Sequence, residues 1–216
     1  NFKNKILLFI EIFLAKKSTK IIAISKLQSH DLIYKYKICE KEKIEIVPLG
    51  FDLYRFTENT NSKREKLRKE FNVKDKTILI TIIGRIVPIK NHQLFIDVIN
   101  YCKHKSTRNI KALVVGDGSE TEKIIDYLIN NKISYSYKDL NKECDVLFTS
   151  WRSDIDSILA ASDIVCLTSL NEGTPVSIIE SMASETASIS TNVGGVSDII
   201  ENNISGIVSS KDVNDY

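Results

Sequence analysis

The sequence contains no apolar run long enough to cross a bilayer and no closely spaced pair of cysteines. Near its start, the apolar residues 6–10 are followed by Glu11 and then by residues 12–14. This stretch is too short and too charged for a transmembrane helix, and we interpret it as an amphipathic helix. The four cysteines are widely spaced and include no CxxC pair, so we expect reduced thiols and a cytoplasmic protein.

The chain also lacks an initial methionine, an internal repeat and a low-complexity segment. Because the first residue is Asn, we expect the chain to be part of a longer protein. Its 216 residues, of which 43% are hydrophobic, are enough to bury a full core.

A large net charge is absent as well, since the total is +2, but the charges are unevenly distributed. Residues 1–70 contain 16 Lys and Arg against 9 Asp and Glu, and the remainder contains 14 against 19. This asymmetry is compatible with an anionic partner or with a membrane surface, which would place the protein at the inner face of the membrane. A solvated lysine-rich face is the simpler explanation, and we favour it.

The first quarter of the chain has a pattern of its own. It predicts a strand at residues 21–24, a helix at about 26–36 and a second strand at 44–47. Residues 52–64 are polar and aperiodic, which indicates a linker, and residues 64–71 form a predicted short charged helix. Because Pro48 and Gly50 interrupt the pattern, we place a domain boundary near residue 50.

Beyond this boundary, short apolar runs alternate regularly with helical patterns. The predicted strands are residues 77–83, 111–115, 145–148, 163–167 and 188–192, and the predicted helices are 91–102, 119–130, 154–161, 175–183 and 196–201. Capping signals support three helix starts, at Asn91, at Ser119 with Glu122, and at Thr174 with Pro175. Apolar strands that alternate with helices predict an α/β fold, with a Rossmann-like parallel sheet and helices on both faces.

Glycines follow four of the predicted strands. They are Gly84, then Gly116 and Gly118, then Gly173, and finally Gly194 and Gly195. Taken alone, each glycine is explained by a tight turn. Ligands bind outside the carboxyl ends of the strands in such a sheet, so four glycine loops at one edge predict a binding site there.

Two of these loops also carry charged residues. Arg85 and Lys90 place two cations beside a helix N-terminus, which predicts a diphosphate ligand, with ordinary surface charges as the alternative. Glu172 is suited to accept hydrogen bonds from sugar hydroxyls, whereas Glu180 lies on a predicted solvent-facing stripe and gains a ligand role only by its pairing with Glu172. Two carboxylates by themselves indicate glycoside hydrolysis, but the neighbouring cations favour two hydroxyl clamps on a sugar nucleotide.

Seven stretches resemble, in order and spacing, the retaining glycosyltransferases of the group 1 type, which have the GT-B fold. They are residues 46–52, 84–90, 115–118, 152–154, 161–163, 172–183 and 192–195. The resemblance implies that the chain is a fragment of a two-domain protein. Residues 1–50 would be the C-terminal part of the N-terminal (acceptor) domain, residues 51–72 an interdomain linker and short helix, and residues 73–216 a nucleotide-sugar donor-binding domain truncated at its C-terminus.

The same resemblance implies a retaining, metal-independent enzyme of surface polysaccharide biosynthesis. Such an enzyme moves a sugar from a nucleotide diphosphate donor to a glycan or lipid-linked acceptor. It needs no cofactor and no metal ion, has no nucleic acid partner, and is compatible with peripheral membrane association through its N-terminal domain. A chain without the rest of the acceptor domain is expected to bind the donor and to catalyse poorly or not at all.

By this resemblance Arg85, Lys90 and Glu172 are the catalytic residues. Arg85 and Lys90 would hold the donor diphosphate and stabilise the negative charge that develops as it leaves. Glu172 would bind the hydroxyls of the donor sugar and Glu180 those of the ribose. The other implied donor-binding residues are Gly84, Gly173, Thr174, Pro175, Gly194 and Gly195 near the sugar and the phosphates, and Gly116, Gly118 and Arg152 near the nucleoside.

Several positions depart from the pattern of the family. Leu49 stands where Asn is usual, Ser150 and Trp151 replace a pair that commonly contains Gly, and residues 184–187 replace a Gly-x-Pro turn. None of these changes removes an implied ligand. They leave two interpretations of Trp151, which either stacks on the base or fills the core.

Other functions stay open. None of His30, His92 and His104 matches the histidine that contacts the donor sugar in the family, and we expect His92 at a helix cap or on the surface. A non-catalytic nucleotide-sugar-binding module needs only the same site, and a sugar-nucleotide epimerase on the same fold needs acid and base residues that we do not find. A dinucleotide-dependent oxidoreductase is disfavoured because Gly116-Asp-Gly118 lacks the third glycine of that fingerprint.

Overall fold

The computed structural model describes residues 2–216. These residues fall into two compact units, the first ending at Phe51 and the second spanning Asp52–Tyr216. None of the described helices combines the length and the apolar composition that crossing a membrane requires. The assignment of the first unit to an acceptor domain stays a prediction.

The first unit contains two helices and a pair of parallel strands. Its main elements are α1 (Phe2–Lys17), β1 (Ile21–Ala23), α2 (Lys26–His30), which continues as a π-helical turn at Asp31–Lys35, and β2 (Ile44–Ile46). Lys43 Nζ donates to the carbonyl oxygens of Ala15, Lys16 and Ser18, which satisfies the C-terminal end of α1. The prediction that α1 is amphipathic is wrong, because apolar side chains lie on both sides of the helix: Ile12 and Ala15 are on its covered side, and Leu7, Phe9 and Phe13 are on its exposed side.

A seven-stranded sheet forms the centre of the second unit, in the order β5-β6-β4-β3-β7-β8-β9. All of its neighbouring strands are parallel. The strands are β3 (Ile78–Ile83), β4 (Ile110–Val115), β5 (Tyr135–Tyr137), β6 (Val146–Ser150), β7 (Ile164–Leu167), β8 (Ala187–Thr191) and β9 (Ile207–Ser209). The predicted parallel sheet is therefore confirmed, and the sequence pattern missed only its two short edge strands, β5 and β9.

Helices cover both faces of this sheet because each apolar strand has side chains pointing both ways. On one face, α5 (His92–Lys105) and α6 (Thr121–Asn130) pack over a core that includes Ile80, Ile82 and Phe148. On the other face, α7 (Ile155–Ala161) and α8 (Val176–Ala183) pack over cores that include Leu79, Leu113 and Val165.

Residues 52–64 are largely helical, not the aperiodic linker that the sequence predicted. They contain α3 (Tyr54–Thr57) and the start of α4 (Thr60–Glu70). The buried side chains of Phe56, Leu67 and Phe71 fix both helices in the second unit. These apolar residues are few and far apart in a charged segment, so they leave little periodicity to detect.

Two of the three predicted helix caps are wrong. Asn91 is the N-cap residue of α5, as predicted, but it has a φ of 49° and its side chain makes no capping hydrogen bond. Glu120, not Ser119, is the N-cap of α6, and Pro175, not Thr174, is the N-cap of α8. Contacts between loops replace one of these caps, since the N–H of Glu120 donates to the carbonyl oxygen of Ile86 at 3.0 Å. The helix predicted at 196–201 is a 3₁₀ helix at Gly194–Asp198.

An ion-pair cluster joins α4 to the start of β7. The Asp163 carboxylate accepts from Arg64 Nη2 at 2.5 Å, from Arg68 Nη1 at 3.2 Å and from the N–H of Leu79 at 2.7 Å. The Arg68 side chain is almost fully buried. Burial opposes ionisation of Asp163, but the Leu79 N–H and the two arginines outweigh it, so the pKa of Asp163 is lowered.

Candidate functional site

Four loops meet at the carboxyl edge of the sheet, because β4, β3, β7 and β8 are consecutive strands. We call them the β3 loop (residues 84–91), the β4 loop (116–120), the β7 loop (168–175) and the β8 loop (192–195). Backbone hydrogen bonds join them in pairs. Ile86 N donates to Asp117 O at 3.0 Å, Leu170 N to Ile89 O at 2.7 Å, and Gly195 N to Gly173 O at 3.1 Å.

The glycines allow these loops to lie against one another. A Cβ atom on Gly116 would lie 2.0 Å from the carbonyl oxygen of Gly84, and one on Gly194 would lie 1.7 Å from that of Glu172. Both glycines also have a positive φ, at 134° and 55°. Gly118 and Gly195 face the backbone of Ile86 and Gly173 at similarly short distances. These glycines are therefore needed for the packing of the loops against one another, and not only for tight turns.

Lys90 and Glu172, two of the predicted site residues, form an ion pair where the β3 and β7 loops meet. Lys90 Nζ lies 2.5 Å from Glu172 Oε1, and the fully buried Ser169 donates to the same oxygen from Oγ at 2.5 Å. The Glu172 side chain is only 10% exposed. Thr191 Oγ1 donates to the carbonyl oxygen of Ser169 at 2.7 Å. This hydrogen bond stabilises the backbone beside the Lys90–Glu172 pair. Sequence reasoning missed Ser169, although it lies three residues before Glu172.

Arg85 occupies the same loop as Lys90 in a different environment. Its side chain is exposed and forms no hydrogen bond or ion pair with any residue that the structure describes. The backbone of Gly84, next to it, is not crowded by other loops, because a Cβ atom there would make only an ordinary contact with Lys90 Cε, at 3.8 Å. An anionic ligand can therefore reach the Arg85 guanidinium and the Gly84 backbone together.

Glu180 lies on α8 and is more buried than its predicted solvent-facing position implies. Its side chain is 19% exposed, and Arg55 Nη2 on α3 lies 4.0 Å from its Oε1. Burial raises the pKa of Glu180, and the charge of Arg55 opposes that rise. Arg55 belongs to the segment expected to be a linker, so sequence reasoning gave no sign of it.

Asp117 organises the β4 loop and is a second residue that the sequence analysis missed. Its Oδ2 accepts from Tyr137 Oη at 2.8 Å and from Ser150 Oγ at 3.0 Å. Its Oδ1 accepts from Thr121 Oγ1 at 2.9 Å and from the N–H of Gly118 at 2.8 Å. The hydrogen bond from Tyr137 is the largest of the effects that lower the pKa of Asp117 to about 2.

The low pKa of Asp117 predicts a loss of stability in acid. The ionised Asp117 carboxylate contributes to the free energy of unfolding above its ordinary pKa of 3.8, and this contribution is lost as the pH falls through about 2. We expect Asp117→Asn to reduce the stability difference between pH 5 and pH 2.5, measured as the free energy of unfolding in urea. Asp75→Asn, at an exposed turn, is the control, and equal pH dependence in the two variants would contradict the prediction.

Arg152 contacts other protein groups through its whole guanidinium. Nε and Nη2 donate to Asp154 at 2.8 Å and 2.7 Å, and Nη1 donates to Glu70 at 2.8 Å. The group also lies 5.5 Å from the ring centroid of Phe71, and the bonds to Asp154 are the main reason why its pKa is raised. Arg152 thus joins the end of β6 to α4, and the structure does not bring it into the group around Lys90.

The structure removes one of the two positions that were expected for His92 and one of the two interpretations of Trp151. His92 is buried, and neither ring nitrogen has a hydrogen-bond partner among the described residues. Burial, aided by the charge of Lys90, lowers the pKa of His92 to about 4. His92 is the first residue of α5, so it lies in the cap region as expected, but the alternative of a surface position is wrong. Trp151 is 62% exposed, which removes the interpretation that it fills the core.

The edge of the sheet offers cations, carboxylates and backbone N–H groups. Within residues 2–216, no group of three or more His, Cys, Asp or Glu side chains is arranged to hold a metal ion. The expectation of a reaction without a metal stays a prediction. Chemically, Arg85 and Lys90 suit an anion, and Glu172 and Glu180 suit hydroxyl groups.

Comparisons with known proteins agree on one family. The model of the family "Glycosyl transferases group 1" matches residues 63–215. A galactosyltransferase of Escherichia coli, which transfers from UDP-Gal to GlcNAc-diphosphoundecaprenol, is 29% identical over 93% of this chain and 49% of its own. A mannosylfructose-phosphate synthase of Agrobacterium fabrum is 28% identical over 91% of this chain and 42% of its own. The chain thus spans about half the length of these relatives.

Solved structures show the same fold. HepE of Anabaena, crystallised with UDP and glucose, superposes with a TM-score of 0.80 at 23% identity, over 96% of this chain and 54% of its own. A glycosyltransferase of Rickettsia africae gives a TM-score of 0.76 at 25% identity, over 92% of this chain and 51% of its own. The prediction of a Rossmann-like sheet of the GT-B type is confirmed. Since the family model also matches well over half of the residues, the chain belongs to the group 1 glycosyltransferases.

Proposed function

We propose that this chain provides the donor-binding half of a retaining glycosyltransferase. The enzyme moves a sugar from a nucleotide diphosphate donor to a glycan or lipid-linked acceptor in surface polysaccharide biosynthesis. The observation that carries the proposal is the Lys90–Glu172 pair at 2.5 Å, beside the exposed Arg85 of the same β3 loop. Names of relatives support the acceptor class, since the Escherichia coli and Campylobacter jejuni relatives act on undecaprenol-linked diphosphates.

In this proposal the donor breaks the ion pair between Lys90 and Glu172 and forms its own contacts with both residues. Its diphosphate takes Lys90 from Glu172 and binds Arg85, and Glu172, still held by Ser169, becomes free to accept a hydroxyl of the donor sugar. Negative charge grows on the diphosphate as the bond to the sugar breaks. The two cations of the β3 loop stabilise that charge where it develops, and they need no metal ion to do so.

The start of α8 adds neutral donors to the same region. Its first N–H groups have no intrahelical acceptor, and they favour an anion or a sugar oxygen near Thr174 and Val176. Glu180, about one helical turn beyond Val176, accepts the ribose hydroxyls. The partial burial of its carboxylate strengthens these hydrogen bonds.

Isothermal titration calorimetry of the chain with nucleotide diphosphates tests the proposal. We expect Lys90→Met and Arg85→Met each to weaken UDP binding roughly ten- to hundredfold, because each removes a charged hydrogen-bond donor. The loss should be smaller for UMP, which lacks the second phosphate. The carboxylate side of the site is tested in the same way by Glu180→Ala.

Lys76→Met is the matched control. Lys76 is exposed and lies just before β3, at the opposite edge of the sheet, so this variant should bind as the wild type does. Absence of binding to UDP, GDP and ADP alike would contradict the proposed function. Binding with equal loss for UDP and UMP would contradict the assignment of the two cations to the diphosphate.

A further inference from the structure

A polar cavity lies at the amino edge of the sheet, opposite the edge where the four loops meet. Its volume is about 390 Å³, which is within the range of small-molecule sites. Four neighbouring strands, β5, β6, β4 and β3, begin here. The residues that directly precede these strands all line the cavity, and they are Ser134, Asp145, Asn109 and Thr77. The cavity is thus built by the same sheet as the proposed donor site, and it belongs entirely to the second unit.

The two sites are too far apart to share a small ligand. Lys111 lines the cavity, and Gly116 follows the last residue of the same strand, β4, at the donor edge. Five residues of extended strand separate them, which is a distance of about 17 Å. A ligand in the cavity therefore has its own contacts, and the inference does not rest on the proposed function.

Positive charge exceeds negative charge among the residues that line the cavity. The cations are Lys74, Lys103, Arg108 and Lys111, and the carboxylates are Glu143 and Asp145. Glu143 is paired with Lys74 at 3.2 Å. Asp145 is paired with Lys103. Within the described residues, Arg108 and Lys111 are thus two cations of the cavity that no carboxylate pairs with.

Lys111 is the most buried of these cations, since the residue is only 5% exposed. Its Nζ donates to the carbonyl oxygen of Phe71 at 2.7 Å, at the end of α4, but an ammonium group has three protons to donate. Burial lowers the pKa of Lys111, and the nearby Cys144 and Glu143 oppose that effect only in part. A buried ammonium without a paired carboxylate is costly, and an anion in the cavity would reduce that cost.

Arg108 supplies the exposed side of the same cavity. Its guanidinium forms no hydrogen bond or ion pair with a residue in the described part of the chain. The turn that carries it is held in place, because the N–H of Arg108 donates to Ser106 Oγ at 2.9 Å. A guanidinium is a planar fork of N–H donors that matches the geometry of a phosphate group. The neighbouring side chains of Thr77, Thr107 and Asn109 suit the hydroxyl groups of a ligand.

We propose that the cavity at the amino edge of the sheet binds a small phosphorylated polyol. Its phosphate group contacts Arg108 and Lys111. Its hydroxyl groups contact Thr77, Thr107 and Asn109. A phosphate monoester carries a charge of about −1.5 to −2 at pH 7, so it balances the two cations that have no carboxylate partner.

Isothermal titration calorimetry with glycerol 3-phosphate, inorganic phosphate and glycerol tests the inference. We expect glycerol 3-phosphate to bind more tightly than inorganic phosphate, and glycerol not to bind. Arg108→Met should weaken the binding of glycerol 3-phosphate about tenfold, because it removes a charged hydrogen-bond donor. Lys105→Met is the matched control, since Lys105 is an exposed cation in the last turn of α5 that does not line the cavity.

Lys111→Met should weaken the binding of glycerol 3-phosphate as well. This change also removes the hydrogen bond to Phe71, so urea unfolding has to show that the variant is folded at the temperature of the titration. If it is not folded, Arg108→Met decides the test alone, because the exposed Arg108 side chain makes no contact on which folding depends.

Amide chemical shifts measured by NMR locate the bound ligand. Glycerol 3-phosphate should shift the signals of Arg108 and Lys111, and Lys90→Met, which lacks a cation of the donor site, should bind it as the wild type does. No binding at about 10 mM, tight binding of glycerol, equal affinities of Arg108→Met and Lys105→Met, or shifts confined to the β3 and β7 loops would each overturn the inference. The proposed function would stay intact, since UDP binding tests it separately at the other edge of the sheet.

Discussion

Gly194→Ala is expected to abolish measurable UDP binding and to lower the stability of the second unit. The new Cβ atom would lie 1.7 Å from the carbonyl oxygen of Glu172, so one of the two loops has to move. The φ of 55° at Gly194 adds strain of about 1–3 kcal/mol for an alanine. Because the contact is with Glu172 itself, a shift of the β7 loop would also break the pairing of Glu172 with Lys90.

Calorimetry with UDP and the free energy of unfolding in urea measure the two effects. Gly50→Ala is the matched control, because a Cβ atom on Gly50 has no described atom within 4 Å. We expect that variant to resemble the wild type in both measurements. UDP affinity of Gly194→Ala within threefold of the wild type would show that the contact between the β7 and β8 loops is not needed for binding.

Asp163→Ala is expected to cost about 1.5–3 kcal/mol of unfolding free energy, because it removes a half-buried carboxylate that accepts charged hydrogen bonds. The change leaves Arg68, whose side chain is 9% exposed, without its carboxylate. It also removes the acceptor of the Leu79 N–H. Urea unfolding followed by circular dichroism measures the loss.

The pair Asp163→Ala and Arg68→Met should recover part of that stability, because a hydrophobic replacement removes the unpaired buried charge. Glu143→Ala is the control. Its exposed pairing with Lys74 should contribute little. An Asp163→Ala variant no less stable than Glu143→Ala would contradict the structural importance of this cluster.

The carboxyl-edge site was only partly visible in the sequence. Arg85, Lys90 and Glu172 could be found because charged residues in glycine-containing loops after predicted strands are a local pattern. Ser169 and Asp117 could not be assigned a role in the same way, since a hydroxyl or a carboxylate in a loop has many uses. What identifies Asp117 is its contact with Tyr137 and Ser150, which belong to other strands.

Local patterns in the chain were enough to specify the parallel α/β sheet and the four loops at its edge. Apolar runs and helical periodicity are properties of consecutive residues, and they hold wherever the segment lies in the fold. Other features arise only when distant segments pack together. Such packing made residues 52–64 helical and replaced the cap of α6 with a bond between loops.

Packing between segments also directed Arg152 toward Asp154 and Glu70, and paired Lys90 with Glu172. Each of these outcomes depends on which strands are neighbours. Strand order follows from how the whole set of apolar faces packs together, so it cannot be read from any one segment of the chain.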